Sequence, residues 1–273
     1  MLKQRLIFGA LGVVLALGVI IFCPIEIIGC FVALISFIGM WEFFKVTGAK
    51  KSPVVIVSYL YSLAVFVVSI FFRHICPDVL TMFSVAYIFL SMVTMVLFRA
   101  RTSFNHLAAS VCGTMYITLF FMHILFIRQM PLGHLFIWLI FISAWSTDTF
   151  AYFVGKAFGK HKLCPNISPK KTIEGAVGGI LGCVFCICLY VFICSKYTAF
   201  QANYLNAAVL SCLSSVFSQF GDLAASCIKR EYSVKDYGNL IPGHGGILDR
   251  FDSALLISPL VYYFTLYLPV LIK

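Results

Sequence analysis

Charge is what this sequence has least of. Of its 273 residues only 11% are Asp, Glu, Lys or Arg, while 62% are hydrophobic. A soluble domain of this length carries roughly a quarter charged residues. So small a supply cannot build a water-facing surface, and a soluble globule is excluded. There is also no low-complexity segment, no linker and no usable internal repeat. That leaves one membrane domain, 1–273. The 11 cysteines form no disulfide framework, because the count is odd and soluble loops are scarce. Cys183, Cys186 and Cys188 stand inside an apolar run, where small hydrophobic packing outweighs a metal reading. A signal-peptide cleavage site is missing after the Met1-Leu2-Lys3-Gln4-Arg5 start, and Phe22 before Cys23 is too large for lipoprotein processing. The first apolar run therefore reads as an uncleaved membrane helix.

Long apolar runs are what the sequence does contain. Spanning a bilayer takes about 20 apolar residues as helix. Nine runs qualify, near 6–22, 25–44, 53–72, 78–98, 106–127, 132–155, 173–195, 204–227 and 248–271. The expected fold is all-α: a polytopic integral membrane protein of about nine transmembrane helices.

Formal net charge is +10, from 20 Lys and Arg against 10 Asp and Glu. With the N-terminus in the cytoplasm, fifteen of the basic residues fall in cytoplasmic segments and four outside. The positive-inside rule favours that orientation. The same excess also suits anionic lipid headgroups or an anionic substrate.

The acids are unevenly placed. Glu231 and Asp236 fall in a loop, Asp78 at a helix start, and Glu26 and Glu42 at the two ends of the second span. Those five read as interfacial or solvated. Asp148, Glu174, Asp222, Asp249 and Asp252 lie inside or at the edge of apolar runs in the second half. A carboxylate at the bilayer centre costs about 2.5–3.5 kcal/mol on insertion scales. At 1.5 Å per helical residue all five lie within about 11 Å of the expected cytoplasmic boundary. A plainer reading, acids paired with neighbouring bases to hold helices together, explains one such residue better than five at one depth. Carboxylates beneath basic loops suit a divalent cation carrying a polyphosphate.

Asp222, Ser226 and Lys229 are spaced i, i+4, i+7 and share one helix face. Downstream, Gly238, Pro242, Gly243, Gly245 and Gly246 interrupt regular helix and let backbone N–H groups converge on an anion. A helix follows at once, carrying Asp249 and Asp252 at i and i+3. His244 by itself is more often a structural histidine than a ligand. Gly175, Gly178, Gly179 and Gly182 allow close helix contact.

The run from Ser226 to Asp252 reads S-x-x-K-R-x(4)-K-D-x-G-x(3)-P-x-H-G-G-x-x-D-R-x-D. It resembles the signature of the phosphatidate cytidylyltransferase (CDP-diglyceride synthetase) family at thirteen fixed positions in 27. A second stretch agrees: Asp148-Thr-Phe-Ala-Tyr152, then Ser168-Pro-Lys170-Lys171-Thr172-Ile-Glu174-Gly175. The resemblance covers about 145–252, and residues 1–140 carry no recognised motif.

The resemblance implies CTP-dependent conversion of phosphatidic acid to CDP-diacylglycerol and pyrophosphate, for phospholipid biosynthesis. It assigns Asp222 and Asp249 to Mg2+, with K+ as a candidate second cation and Asp148 and Asp252 as further cation ligands. Asp222, Asp249, Lys229 and Arg230 become the catalytic set. Ser168, Lys170, Lys171, Ser226, Lys235, His244 and Arg250 become substrate-binding residues. The implied partners are CTP, phosphatidic acid, membrane lipids and a second copy of the chain, without nucleic acid. The implied setting is the bacterial inner membrane, with the active site facing the cytoplasm. The competing readings are a polyprenol kinase, an ether-lipid cytidylyltransferase and a cation-coupled transporter.

Overall fold

The computed structural model describes residues 18, 19, 23–72, 77–240 and 245–272. They fall into two compact units, Met1–Gln129 with Tyr232–Phe251, and Met130–Glu231 with Asp252–Lys273.

The first unit holds α1 (Ile25–Val46), α2 (Val54–Phe71), α3 (Pro77–Leu97), α4 (Phe104–Thr114) and α5 (Phe120–Gln129). A π-helical turn, Met115–Leu119, joins α4 to α5. These helices are rich in β-branched and aromatic residues, which have modest helix propensity in water. In lipid every backbone N–H and C=O must be satisfied within the segment, so helix wins regardless. Pro24 and Pro53 stand immediately before α1 and α2, where a missing N–H costs nothing. Ser103 caps α4, its hydroxyl accepting the His106 N–H at 3.2 Å.

Hydrocarbon gives little drive for apolar helices to associate, so hydroxyl contacts help to register them. Ser58 meets the Tyr87 hydroxyl at 2.8 Å, Tyr61 meets Ser84 at 3.0 Å, and Thr118 donates to Ser62 at 2.9 Å. Ile56, Leu60, Phe89 and Val96 remain exposed on the outside, as lipid-facing residues should. Near the end of α1 the Lys45 and Lys50 ammoniums lie 5.4 and 4.9 Å from the Trp41 ring. Such an aromatic and basic rim belongs at a membrane–water boundary.

The second unit holds α6 (Gly133–Phe158), α7 (Ile173–Tyr197), α8 (Tyr204–Glu231) and most of α9 (Leu248–Tyr267). Glycine sets the packing of α6 on α7. A Cβ at Gly175 would lie 2.7 Å from the Ala151 carbonyl oxygen, and one at Gly179 would lie 3.0 Å from that of Thr147. At Gly182 it would strike the Phe150 ring. The expected close contact along this glycine face is present.

Seven described helices are long and apolar enough to cross a membrane, so the chain is an integral membrane protein: Ile25–Val46, Val54–Phe71, Asp78–Leu97, Phe104–Gln129, Gly133–Phe158, Ile173–Tyr197 and Tyr204–Glu231. The expected last span is helical over 20 residues, but Asp249, Arg250 and Asp252 lower its hydrophobicity. The expected span 6–22 lies outside the described residues, 18 and 19 excepted.

The loops are more ordered than the sequence suggested. Within the basic segment 156–172, β1 (Lys162–Cys164) pairs antiparallel with β2 (Ser168–Thr172). A second ladder pairs β3 (Gln201–Ala202) with β4 (Leu271–Ile272). Polar backbone leaving the membrane can close such ladders because its side chains give no apolar face that would impose a helix. The ten described cysteines are free thiols.

Candidate active site

In the second unit the basic hairpin is held at both of its ends. Thr172 caps α7, its hydroxyl accepting the Gly175 N–H at 3.1 Å. Glu174 accepts the N–H groups of Lys160 at 3.1 Å and His161 at 3.2 Å, and its Oε1 lies 2.7 Å from His161 Nδ1. Glu174 is therefore a clamp for the start of the hairpin. This corrects its grouping with the deep carboxylates: at the first turn of α7 its side chain turns back to the loop.

The hairpin delivers Lys170 and Lys171 to a cavity of about 340 Å3, which Asp148, Lys156, Gln219 and Asp222 also line. Its size lies near the lower end of the range for small-molecule sites. Lys171 Nζ is 2.6 Å from Asp222 Oδ2. Gln219, one turn before Asp222, donates to the Ala176 carbonyl at 3.2 Å and ties α8 to α7. Ser226, one turn after, reaches Asp222 Oδ1 at 3.5 Å, a weak contact. Ser168 is half-buried at the start of β2.

Asp148 on α6, Asp222 on α8 and Asp252 on α9 lie within mutual electrostatic reach, with Lys171 and Lys229 as nearby positive charges. Asp252 and Lys229 are both buried. The backbone helps here too: a Cβ at Gly221 would lie 2.7 Å from the Asp252 carbonyl oxygen, so glycine lets α8 and α9 touch. Arg230 is exposed near the end of α8.

In the first unit, Asp249 is buried in the first turn of α9. Its Oδ2 accepts the N–H of Tyr237 at 2.7 Å and of Gly246 at 3.0 Å. Gly245 takes a left-handed conformation, φ 80°, that favours glycine. Lys235 and Arg250 are exposed. His244, Pro242 and Gly243 lie outside the described residues.

Sequence reasoning missed Glu42. Its place at the end of the second span suggests an interfacial or solvated acid, yet it is fully buried. Its two oxygens accept the N–H groups of Ile247 at 3.0 Å and Leu248 at 2.9 Å. The described part of the glycine-rich loop thus converges on anions as expected, but those anions are the protein's own carboxylates, Glu42 and Asp249. The available signal was an acid flanked by Trp41, Phe43 and Phe44, residues that leave little room for solvation.

Among the described residues, no group of three or more His, Cys, Asp or Glu side chains is arranged to hold a metal ion alone. Mg2+ keeps several waters and takes one or two carboxylates together with substrate phosphates. Hard oxygen donors suited to that ion are available in Asp148, Asp222 and Asp252 of the second unit and, separately, in Asp249 of the first.

The helices and this cavity define an integral membrane protein whose lysine-and-aspartate pocket suits phosphate-bearing ligands. The model of the cytidylyltransferase family matches residues 3–268. The phosphatidate cytidylyltransferase of Bacillus subtilis (strain 168) is 33% identical over 268 residues, covering 96% of this chain and 97% of its own. Those of Staphylococcus aureus (strain COL) and Staphylococcus haemolyticus (strain JCSC1435) are 40% and 38% identical over 177 residues, each covering 65% of this chain and 66% of their own. The chain belongs to the cytidylyltransferase family and is an enzyme of that type.

Proposed function

We propose that this enzyme is a CTP:phosphatidate cytidylyltransferase. A phosphate oxygen of phosphatidate forms a bond to the α-phosphorus of CTP, and the bond from that phosphorus to the bridging oxygen of the β-phosphate breaks. CDP-diacylglycerol is formed and pyrophosphate leaves with the electron pair. The observation that carries the reading is the cavity that Lys170, Lys171, Asp222 and Asp148 line together.

Two anions must approach each other, so neutralising their charge is the first requirement. Lys170 and Lys171 supply it for phosphate oxygens at the cavity wall. Lys229 and Arg230, with Lys235, His244 and Arg250, are proposed as further phosphate contacts, the arginines being suited to bidentate grips. Ser168 and Ser226 offer hydroxyl donors. Phosphatidate is already anionic near neutral pH, so no strong general base is needed. Asp222 and Asp249 are proposed as Mg2+ ligands, with Asp148 and Asp252 as further carboxylates and K+ as a second cation. When bound, Mg2+ would neutralise phosphate charge and orient the leaving group.

The same reading places the protein in a bacterial inner membrane, as a homodimer, with its site facing cytoplasmic CTP. An acceptor panel tests it. Purified protein given CTP, Mg2+ and phosphatidate, a polyprenol or an ether-linked phosphatidate should make liponucleotide from the diacyl lipid. Consumption of CTP only with the polyprenol would overturn the reading.

A further inference from the structure

Glu42 is fully enclosed, one turn before the end of α1. Its two oxygens each take one backbone N–H, from Ile247 and from Leu248. These are N–H groups at the start of α9, which have no partner within the helix and where the helix dipole favours negative charge.

Two glycines of the loop are explained by the same carboxylate. A Cβ at Gly246 would lie 2.5 Å from Glu42 Cδ, and one at Gly238 would lie 2.8 Å from it. Any other residue would push the carboxylate out of its seat. Tyr237 stacks on Phe43, the neighbour of Glu42, with ring centroids 6.1 Å apart. Three consecutive amides are then shared between two acids: Gly246 donates to Asp249, while Ile247 and Leu248 donate to Glu42. Displacing Glu42 must displace the turn that holds Asp249.

We propose that Glu42 is a positioning residue: its carboxylate fixes the Gly246–Leu248 turn and, through it, sets the Asp249 carboxylate for its cation. The proposal rests on Asp249 being a cation ligand, as read above.

The test uses full-length protein with Glu42→Gln, Gly246→Ala and, as a control at the other end of α1, Glu26→Gln. In Glu42→Gln an amide NH2 replaces one of the two accepting oxygens. Amide hydrogen exchange at residues 245–250, the Mg2+-dependent shift in melting temperature, and the Mg2+ concentration for half-maximal turnover are measured on each. Glu42→Gln should speed exchange about tenfold and raise the Mg2+ requirement at least about fivefold, with KM for phosphatidate within about twofold. Gly246→Ala should reproduce both changes with Glu42 in place, and it decides the matter alone if Glu42→Gln does not fold. Glu26→Gln should change neither. Faster exchange with an unchanged Mg2+ requirement would make Glu42 a structural cap only and overturn the proposal. Unchanged exchange would overturn it as well. A wild-type protein indifferent to Mg2+ would overturn this proposal together with the reading of Asp249, whereas a Mg2+-sensitive wild type with an unaffected Glu42→Gln overturns the proposal alone.

Discussion

Lys171 of β2 and Asp222 of α8 meet at 2.6 Å on the wall of the second unit's cavity, with 26% and 33% of their side chains exposed. A partly exposed ion pair contributes only about 0–1 kcal/mol to stability. In the proposed reaction its value lies in holding opposite charges where phosphate and cation would both arrive. Reversing the pair separates the two roles. Protein carrying Lys171→Asp with Asp222→Lys is expected to keep its melting temperature within a few degrees and to lose at least about a hundredfold in turnover, the scale for removing a charge-stabilising group. Recovery of near-normal activity in the double variant would reduce the contact to a structural bridge.

Asp249→Asn should leave membrane insertion intact and abolish CDP-diacylglycerol formation. The amide oxygen of asparagine can still accept the Tyr237 and Gly246 N–H groups that Asp249 receives. The negative charge and the second accepting oxygen are what the substitution removes. Turnover assayed at ordinary Mg2+, beside a measurement of the membrane-embedded fraction, checks this; normal turnover would remove the cation assignment.

Glu174→Gln provides the contrast. Glu174 clamps Lys160 and His161 and lines no part of the Lys171–Asp222 cavity. Its loss should loosen the hairpin, seen as faster proteolysis between residues 159 and 168, while turnover falls less than about tenfold. That is far smaller than the hundredfold scale of a group stabilising charge in the reaction.

Gly175→Ala should destabilise the second unit and lower activity together. Its Cβ would meet the Ala151 carbonyl oxygen at 2.7 Å and Gly155 Cα at 3.1 Å, both backbone atoms that cannot turn aside. Overpacking of this kind costs about 1–3 kcal/mol. The strain falls three residues after Thr172, whose cap anchors Lys171. Thermal unfolding in detergent, compared with Thr172→Ala, measures it; loss of that cap alone costs about 0.5–2 kcal/mol.

The helical fold was legible because lipid leaves a chain few choices: apolar runs of the right length at 25–44, 53–72 or 173–195 must become helices. The clustering of acids was legible where chemistry and spacing coincide. Asp148, Asp222 and Asp252 are costly in an apolar run and are expected at one depth, and all three lie within mutual electrostatic reach. Two features were not legible. The direction in which Glu174 turns depends on a hairpin whose pairing leaves no apolar alternation to read. Glu42 pairs with amides more than two hundred residues away, and no local pattern on α1 announces such a partner. The glycines of the loop let backbone N–H groups converge on an anion, as expected, but nothing in the sequence tells that Gly238 and Gly246 also make room for Glu42.

The position of the label in the lipid product tests the central claim most directly. Purified protein is incubated with phosphatidate, Mg2+ and CTP labelled at either the α- or the γ-phosphorus. Transfer of CMP should carry the α-label into the lipid and release the γ-label as pyrophosphate. Gamma-label in the lipid, with CDP as the other product, would mean phosphoryl transfer and would contradict the assignment.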